Sequence, residues 1–364
     1  MWEILTASGW RKGTIKVDES GRIANISPAR GRSQGFIIPG FIDLHVHGGG
    51  GKDIMQGGNA VSRMSQIHAQ HGTTSLLATT MTASTEALTS ALEDISLHMQ
   101  NKRDAGESRV LGVHLEGPFI NPDKLGAQPP FARKAIKQEL DQLLKLADVK
   151  LITLAAEFEE NLALIPYLTE RNIRVQQGHT LASYQQSVKA MLMGASGFAH
   201  LYNAMSGNDH RQPGVLTAAL AHADYAEIIP DLEHVHRGAI LAARRAIPKL
   251  YGVTDSCSAV GMPDGEYQQG EYRIYKCAGK SAARLENGTL AASTLTMDQA
   301  LRNFIELGLP LEEASLRLSR YPADFLGLED RGRLEVNAWA DYVVMDEKYH
   351  VQQVVIEGVN VPRN

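Results

Sequence analysis

The chain has 364 residues, of which 43% are hydrophobic and 21% are charged, and its formal net charge is −5 at pH 7. This length suits two ordinary domains or one α/β barrel with an accessory piece, and the slight negative charge gives no reason to expect nucleic acid or a membrane surface as a partner. With two cysteines, no signal-peptide pattern at the start and no apolar run of membrane-spanning length, the sequence excludes a disulfide scaffold and predicts a cytoplasmic protein.

Both ends of the chain carry the pattern of short β-strands. Residues 1–38 alternate polar and apolar side chains between glycine turns, and we expect a hairpin around Ser20 and Gly21. Residues 335–364 have the same pattern and little helical periodicity. Because chain ends often lie close together, these two segments are expected to pair in one small β-sandwich domain.

The long middle segment, residues 39–334, alternates short apolar runs with amphipathic helical stretches. Eight strands alternating with helices is the count of a (β/α)8 barrel, so an α/β fold of this type is predicted. A doubly wound open sheet is the alternative, but it would need a G-x-G-x-x-G fingerprint after the first strand, and "HGGGGKD" lacks that spacing. The strand candidates are GFIDLHV, TTSLLATT, VLGVHLE, KLITLAAE, IRVQQGH, SGFAHLY, AEIIPDLE and LYGVTDS.

Polar side chains fall at or near the ends of several of these strands. In a barrel, such positions converge on the C-terminal mouth, where enzymes of this fold carry their chemistry. Imidazole and carboxylate groups together form a ligand set suited to zinc or another divalent transition metal. The residues concerned are His45 and His47 in the first strand, Glu116 in the third, His179 in the fifth, His200 in the sixth and Asp255 in the eighth.

Each of these residues also has a purely structural interpretation. A single histidine at a strand end is more often a satisfied polar group than a ligand, Asp255 is placed to cap the next helix, and Glu116 is placed to brace a turn. These interpretations are independent of one another, so their coincidence on one face is improbable, and metal binding is favoured. His114 shares the strand and face of Glu116 and is expected to support a ligand from behind.

Five motifs appear in the order and spacing of N-acetylglucosamine-6-phosphate deacetylases, a family of the amidohydrolase superfamily. The resemblance covers nearly the whole chain; "HVHG" alone marks the superfamily, whereas the combination with the later motifs is specific. It implies metal-dependent hydrolysis of the acetamide of N-acetyl-D-glucosamine 6-phosphate, by a catalytic barrel at residues 39–334. The motifs are PGFIDLHVHG, HLEGPF, QGHT, HLYNAM and VTDS.

The resemblance also implies roles for the strand-end residues. Glu116, His179 and His200 match the main metal ligands of the family, and Asp255 matches its catalytic aspartate. The implied cofactor is a divalent metal, with zinc favoured and iron, manganese or cobalt as alternatives.

His45 and His47 match a histidine pair that only some members of the family carry, where it permits a second metal. The chain is therefore expected to bind one or two ions per subunit. We hypothesise that a second ion on this pair, with Glu116 bridging, polarises the substrate carbonyl.

Substrate contacts are implied by the same comparison. His234 matches a phosphate-side histidine, and Arg211 matches an arginine that reaches the phosphate of the neighbouring subunit's substrate. Arg211 therefore implies a homodimer. The remaining implied contacts to the phosphorylated amino sugar are Ala127, Gln128, Asn203, Ala204, Leu290, Ala291 and Ala292.

Two departures from the family pattern lie where the sugar is recognised. Gln128 stands where the family often has the histidine of a Gly-x-His near the acetamide; glutamine can donate a hydrogen bond to a carbonyl oxygen but cannot become cationic. Ala291 and Ala292 replace a more usual Ala-Gly, and the added Cβ is expected to crowd the sugar hydroxyls.

Three other functions stay open at this point. The substrate could be N-acetyl-D-galactosamine 6-phosphate, which differs in the orientation of one hydroxyl. A hydrolase of cyclic amides would need a carboxylated lysine at a barrel strand end, and no lysine matches that position. A sugar-phosphate sensor or a structural metal protein would be expected to have lost a ligand or the aspartate, and all are present.

Overall fold

The computed structural model describes residues 1–362. Its strands are β1 (Trp2–Thr6), β2 (Gly9–Val17), β3 (Ile23–Pro28), β4 (Phe36–Pro39), β5 (Phe41–Val46), β6 (Gly48–Gly49), β7 (Lys52–Asp53), β8 (Thr73–Thr80), β9 (Arg109–Glu116), β10 (Val149–Leu154), β11 (Arg174–Gln177), β12 (Gly197–Phe198), β13 (Tyr225–Ile228), β14 (Lys249–Gly252), β15 (Gly265–Gln269), β16 (Tyr272–Lys276), β17 (Ala282–Arg284), β18 (Leu290–Ser293), β19 (Tyr342–Met345), β20 (Val351–Ile356) and β21 (Val359–Asn360). Its α-helices are α1 (Ala60–Gln70), α2 (Thr85–Gln100), α3 (Lys137–Leu146), α4 (Glu159–Thr169), α5 (Tyr184–Leu192), α6 (Val215–His222), α7 (Arg237–Ala246), α8 (Met297–Glu306), α9 (Leu311–Leu318) and α10 (Arg320–Leu326).

Seven strands from the two ends of the chain form one sheet, in the order β21-β20-β19-β4-β1-β2-β3. The sheet curls so that the start of β3 meets the segment before β19. There the backbone N–H of Ile23 donates to the carbonyl of Ala338 over 2.9 Å. The curl encloses a small apolar core that includes Ile4 and Val344. The small β domain predicted from both ends is thus confirmed, as a single curled sheet.

The expected hairpin around Ser20 and Gly21 joins β2 to β3, which pair antiparallel. The predicted domain boundaries, 1–38 with 335–364 and 39–334, stay a prediction. The last two residues of the predicted β domain, 363 and 364, lie outside the described residues.

Eight parallel strands form the predicted barrel. Six run in one sheet, from β5 through β8, β9, β10 and β11 to β12, and β13 pairs with β14. The backbone N–H of Leu201 donates to Glu227 over 2.9 Å and links the sixth strand to the seventh, and Asp255 donates to His45 over 2.9 Å and links the eighth to the first. The (β/α)8 fold is confirmed, and each strand candidate of the sequence overlaps one of these strands.

The sequence explains why these strands lie in the interior. Every residue of β8, TTSLLATT, is buried, because parallel strands of a barrel are covered on one side by the barrel core and on the other by helices. Helices follow with capping signals: the Ser84 side chain accepts from the backbone N–H of Ala87 at the start of α2, and Ser183 forms a capping box with Gln186 at α5. Across residues 1–362, none of the helices is both long enough and apolar enough to traverse a bilayer.

The four glycines after His47 form a tight hairpin, β6–β7, directly at the C-terminal end of the first barrel strand. A Cβ on Gly48 would lie 2.5 Å from the carbonyl oxygen of Lys52, which is too close for any side chain. The hairpin therefore needs glycine there. Its close packing holds His47 at the barrel mouth, where the His47 N–H donates to Ser256 over 3.0 Å.

An antiparallel sheet, β15–β18, is inserted between β14 and α8 and was not anticipated from the sequence. The turn between β15 and β16 contacts the β6–β7 hairpin at the mouth, because the backbone N–H of Gly270 donates to Asp53 over 2.5 Å. This insertion forms one wall of the cavity described below.

Candidate metal centre and active site

Glu116, at the end of β9, lies at the centre of the strand-end residues. Its Oε1 is 3.2 Å from Nε2 of His179 and 3.0 Å from Nε2 of His200. The same oxygen is 3.3 Å from Nε2 of His45, and Oε2 is 3.3 Å from Nε2 of His47. One carboxylate thus faces all four imidazoles.

Asp255 completes a second group of side chains beside the first. Its Oδ1 is 3.3 Å from Nε2 of His47 and 3.6 Å from Nε2 of His45. These three residues can each offer a ligand atom within 4.8 Å of the others, and the same holds for His45, Glu116 and His200. These strand-end residues therefore lie in two adjoining groups of candidate metal ligands, the metal groups, with Glu116 between them. His179 and His200 lie on one side, and His45, His47 and Asp255 lie on the other.

The hydrogen bonds behind two of the rings, those of His179 and His47, show what the groups can hold. Nδ1 of His179 is 2.7 Å from the carbonyl of Lys124, and Nδ1 of His47 is 3.1 Å from the carbonyl of Thr79. A carbonyl only accepts, so each ring carries a proton on Nδ1 and, in its neutral form, directs the lone pair of Nε2 towards the carboxylates. A nitrogen lone pair and the carboxylate oxygen that it faces repel each other unless a cation lies between them. The donor set fits divalent metal ions.

The ionisation of the site agrees with this requirement for a cation. Burial lowers the pKa of His47, but Asp255 and Glu116 outweigh it and raise that pKa to about 9. Burial raises the pKa of Glu116, but the charges of His45 and His179 outweigh it and hold that pKa well below its usual range. Asp255 behaves in the same way, chiefly through His45, and its pKa is also lowered. The carboxylates are anionic and attract positive charge.

Three of the strand-end residues have strained backbones. His179, His200 and Asp255 have φ values of 47°, 25° and 48°, in the left-handed region that side chains rarely adopt. Such conformations persist where neighbours hold them, and they concentrate at functional sites. The carbonyl of His179 accepts from the N–H of Asn121 over 2.9 Å, which holds the loop after β11 in place.

A cavity of about 150 Å³ opens above these groups. Met81, Gly126 and Gln269 also line it and were not named from the sequence; Met81 directly follows β8, so its strand-end position was a usable signal. The residues expected to contact the sugar line this cavity, with one exception: they are Ala127, Gln128, Asn203, Ala204, His234, Leu290, Ala291 and Ala292.

His234 lies on the wall of the cavity, and its ring is held by Asp231. Nδ1 of His234 is 2.6 Å from Oδ2 of Asp231. Burial lowers the pKa of His234, but the hydrogen bond and charge of Asp231 outweigh it and raise that pKa. The ring is thus prepared to carry positive charge towards the cavity.

From the sequence, Gln128 was expected to be able to donate to a substrate carbonyl, but its amide is already hydrogen-bonded within the protein. Its Nε2 donates to Oε2 of Glu116 over 2.5 Å, and its Oε1 accepts from the backbone N–H of Thr82 over 2.7 Å. Both ends of the amide are therefore engaged, and donation to a substrate carbonyl would require breaking the bond to Glu116. Sequence could not reveal this, because the rotamer depends on residues far along the chain.

Arg211 is the exception among the expected contacts, since it lies outside the cavity of its own chain. It is exposed in the loop before α6, where its backbone N–H donates to Asp209 over 2.7 Å. Its expected contact with a neighbouring subunit's substrate stays a prediction.

His114 lies behind the metal groups, as expected from its place on β9. Its ring packs edge to face against the ring of His45, with centroids 4.6 Å apart. Nε2 of His114 is 2.8 Å from the hydroxyl of Thr153, and burial followed by the charge of His45 lowers the pKa of His114 to about 3. A neutral His114 supports the His45 ring.

Comparisons with known proteins agree with this site. Residues 36–164 match the model of the Amidohydrolase family. The N-acetylgalactosamine-6-phosphate deacetylase of Escherichia coli O157:H7 is 36% identical and covers 98% of this chain and 96% of its own. The N-acetylglucosamine-6-phosphate deacetylase of Lysinibacillus sphaericus is also 36% identical, covering 98% and 95%. A Mycobacterium smegmatis N-acetyl-D-glucosamine-6-phosphate deacetylase, solved as an aspartate-to-alanine mutant with N-acetyl-D-glucosamine-6-phosphate, is 30% identical with a TM-score of 0.91, covering 99% and 98%.

The barrel, the ligand groups at its mouth and these matches define an amidohydrolase, a hydrolase that acts on an amide C–N bond. The lysine that the cyclic-amide alternative requires is not among the described residues that line the cavity, and Glu116 stands between the ligand groups. Within the superfamily, the chain belongs to the N-acetylglucosamine-6-phosphate deacetylase family.

Proposed function

We propose that this protein hydrolyses the acetamide of N-acetyl-D-glucosamine 6-phosphate to glucosamine 6-phosphate and acetate. The observation that carries the proposal is the convergence of Asp255 and the groups around Glu116 on one cavity whose wall carries His234. The relative named for this substrate and the solved complex with it support the gluco sugar. Because another relative is named for the galacto sugar, the hydrolysis of both epimers has to be compared directly.

Two metal positions follow from the ligand groups. Glu116, His179 and His200 would hold one divalent ion, and His45 and His47, with Glu116 and Asp255, would hold a second. Imidazole and carboxylate ligands favour zinc, with iron, manganese and cobalt as alternatives. Such an ion would lower the pKa of water to about 7, which would let a nearby base remove its proton at neutral pH.

Asp255 is the general base and general acid of the proposed reaction. Its anionic carboxylate takes a proton from the attacking water as the oxygen of that water bonds to the acetamide carbonyl carbon. As the carbon–nitrogen bond breaks, Asp255 returns that proton to the leaving nitrogen, so that glucosamine 6-phosphate and acetate result. The lowered pKa of Asp255 keeps its carboxylate anionic at neutral pH, which is the form that a general base requires.

His234 and Arg211 would bind the phosphate. The carboxylate of Asp231 holds Nδ1 of His234, so the opposite nitrogen can donate to a phosphate oxygen. We propose that Arg211 reaches the substrate of the neighbouring subunit in a homodimer, and that the protein works in the cytoplasm, where its two free cysteines stay reduced.

Acetate release from N-acetylglucosamine 6-phosphate and from its galacto epimer tests the proposal. Metal-loaded protein should release acetate from the gluco substrate faster, and a chelator should abolish the release. Faster release from the galacto epimer would contradict the substrate assignment while keeping the chemistry. Binding of either sugar without any acetate release would support a sensor and contradict the proposed enzyme.

A further inference from the structure

Glu227 is a fully buried glutamate on β13, the seventh barrel strand, beneath the metal groups. Its Oε2 is 2.9 Å from Nδ1 of His45 and accepts the backbone N–H of His200 over 3.2 Å. Its Oε1 accepts from Nε2 of Gln176 over 3.0 Å and lies 3.5 Å from the hydroxyl of Tyr251. A buried carboxylate is costly unless it is well hydrogen-bonded, and no step of the proposed reaction uses this one.

The neighbours of Glu227 determine which nitrogen of His45 carries the proton. The side-chain N–H of Gln176 and the backbone N–H of His200 can only donate. The Tyr251 hydroxyl already accepts from Gln176 over 2.9 Å, so its own proton is free for Glu227. Surrounded by donors, the carboxylate is an acceptor. Nδ1 of His45 must therefore donate to it, and the lone pair of Nε2 is directed at Glu116, His47 and Asp255.

The hydrogen-bond partner of His45 Nδ1 differs in kind from the partners of His47 Nδ1 and His179 Nδ1. His47 and His179 donate to backbone carbonyls, whereas His45 donates to a carboxylate. A carboxylate behind an imidazole raises the basicity of the ring and fixes its orientation, which strengthens metal binding. The packing of His114 against the His45 ring restricts its rotation further.

Glu227 also connects the two metal groups, because the same Oε2 accepts from His45 of one group and from the backbone of His200 of the other. We propose that Glu227 is a positioning residue of the metal centre, which fixes His45 for the second ion and steadies His200 for the first. This inference rests on the metal positions of the proposed function, and nothing in it depends on the substrate.

Zinc titration of the metal-free full-length protein against a chromophoric chelator tests the role. Wild type should bind two equivalents. Glu227→Gln should keep the first and bind the second at least about 10-fold more weakly. Glu227→Asp keeps the charge on a shorter side chain, so its second equivalent should bind with intermediate affinity; it also carries the test if the glutamine variant does not fold. The absorption spectrum of the cobalt-loaded protein should differ from that of wild type most in Glu227→Gln and less in Glu227→Asp.

Tyr251→Phe is the matched control, since it removes the hydroxyl near Oε1 and leaves the contacts of Glu227 with His45 and His200. It should bind two equivalents as wild type does. Binding of two equivalents by Glu227→Gln with unchanged affinity, or a single equivalent in wild type, would overturn the inference. These titrations contain no sugar, so a failure of the deacetylase assay and a failure of this inference are separate results.

Discussion

Gln128 and Glu116 form a 2.5 Å hydrogen bond, from Nε2 of the amide to Oε2 of the carboxylate. The other oxygen of Glu116 faces His179 and His200, so the amide holds the carboxylate in the orientation that serves both metal groups. At this position the family often has a histidine near the acetamide. Here the side chain donates to the carboxylate of Glu116 instead.

We predict that Gln128→Leu weakens metal binding about 10-fold and lowers kcat/KM about 10- to 100-fold, because Glu116 and the Thr82 N–H both lose a buried partner. Chelator competition and acetate release measure the two effects. Gln269→Leu is the control for metal affinity: this equally buried cavity glutamine donates to Met81 Sδ over 3.3 Å and should leave metal affinity unchanged. Wild-type metal affinity in Gln128→Leu would show that the bond to Glu116 is dispensable.

Asp255→Asn should lower kcat about 100- to 10,000-fold, because the amide cannot take the proton of the attacking water. The shape of the side chain is kept, so the circular dichroism spectrum and the ion on Glu116, His179 and His200 should be retained. Metal analysis beside single-turnover acetate release separates lost chemistry from lost metal. A kcat within tenfold of wild type would remove Asp255 from the mechanism.

The sequence predicted the barrel because parallel strands buried on both faces leave continuous apolar runs. It also placed His45, Glu116 and Asp255 together, since strand ends of a barrel converge whatever the intervening loops do. Glu227 was not found, although it lies within the strand candidate AEIIPDLE. Its importance depends on His45, 182 positions away in sequence, and no local pattern records that contact.

The inserted sheet was missed for a different reason. The segment GEYQQGEYRIYK alternates polar and apolar residues around Gly270 and Glu271, which is a hairpin signal with a two-residue loop. That signal was present and would have revealed β15 and β16. Its docking over the barrel mouth was not predictable, because it depends on the buried contact between Gly270 and Asp53.

Ala292→Gly tests whether the Cβ at position 292 affects which of the two sugar epimers the protein hydrolyses. Ala292 has a φ of 60°, where alanine is strained by about 1–2 kcal/mol, but glycine also gains freedom in the unfolded state. The free energy of unfolding should therefore change by less than about 1 kcal/mol. Loss of the Cβ at the cavity should alter the ratio of kcat/KM for the two epimers, measured by acetate release. An unaltered ratio would show that this Cβ does not contact the distinguishing hydroxyl.

Glu357 joins the small sheet to the barrel through three arginines. It is 2.6 Å from Arg109, 2.5 Å from Arg331 and 3.2 Å from Arg103. Burial raises the pKa of Glu357, but the hydrogen bonds from Arg109 and Arg331 outweigh it and lower that pKa from 4.5 to about 2. Since the folded-state pKa is the lower one, the stabilisation is complete above about pH 4.5 and is lost as the pH falls towards 2.

Glu357→Gln should therefore lower the free energy of unfolding by about 2 kcal/mol at pH 7, because Arg103 and Arg109 lose their anion and Arg331 keeps only Asp341. Urea unfolding should show that the difference from wild type shrinks below pH 4.5. Glu347→Gln, at an exposed position of the same domain, should change stability by less than about 0.5 kcal/mol. A difference for Glu357→Gln that stays constant from pH 7 down to about pH 3 would contradict the ion-pair account.

Arg211→Ala should raise KM for the phosphorylated sugar and leave any activity on the unphosphorylated sugar unchanged, because a guanidinium recognises the phosphate. If Arg211 acts in the neighbouring subunit, a dimer that pairs an Arg211→Ala chain with an Asp255→Asn chain contains one complete site. Unfolding and refolding an equal mixture of these two inactive or impaired proteins should then restore about a quarter of wild-type activity at low substrate concentration. A mixture no more active than its components would mean that Arg211 does not serve a neighbouring site.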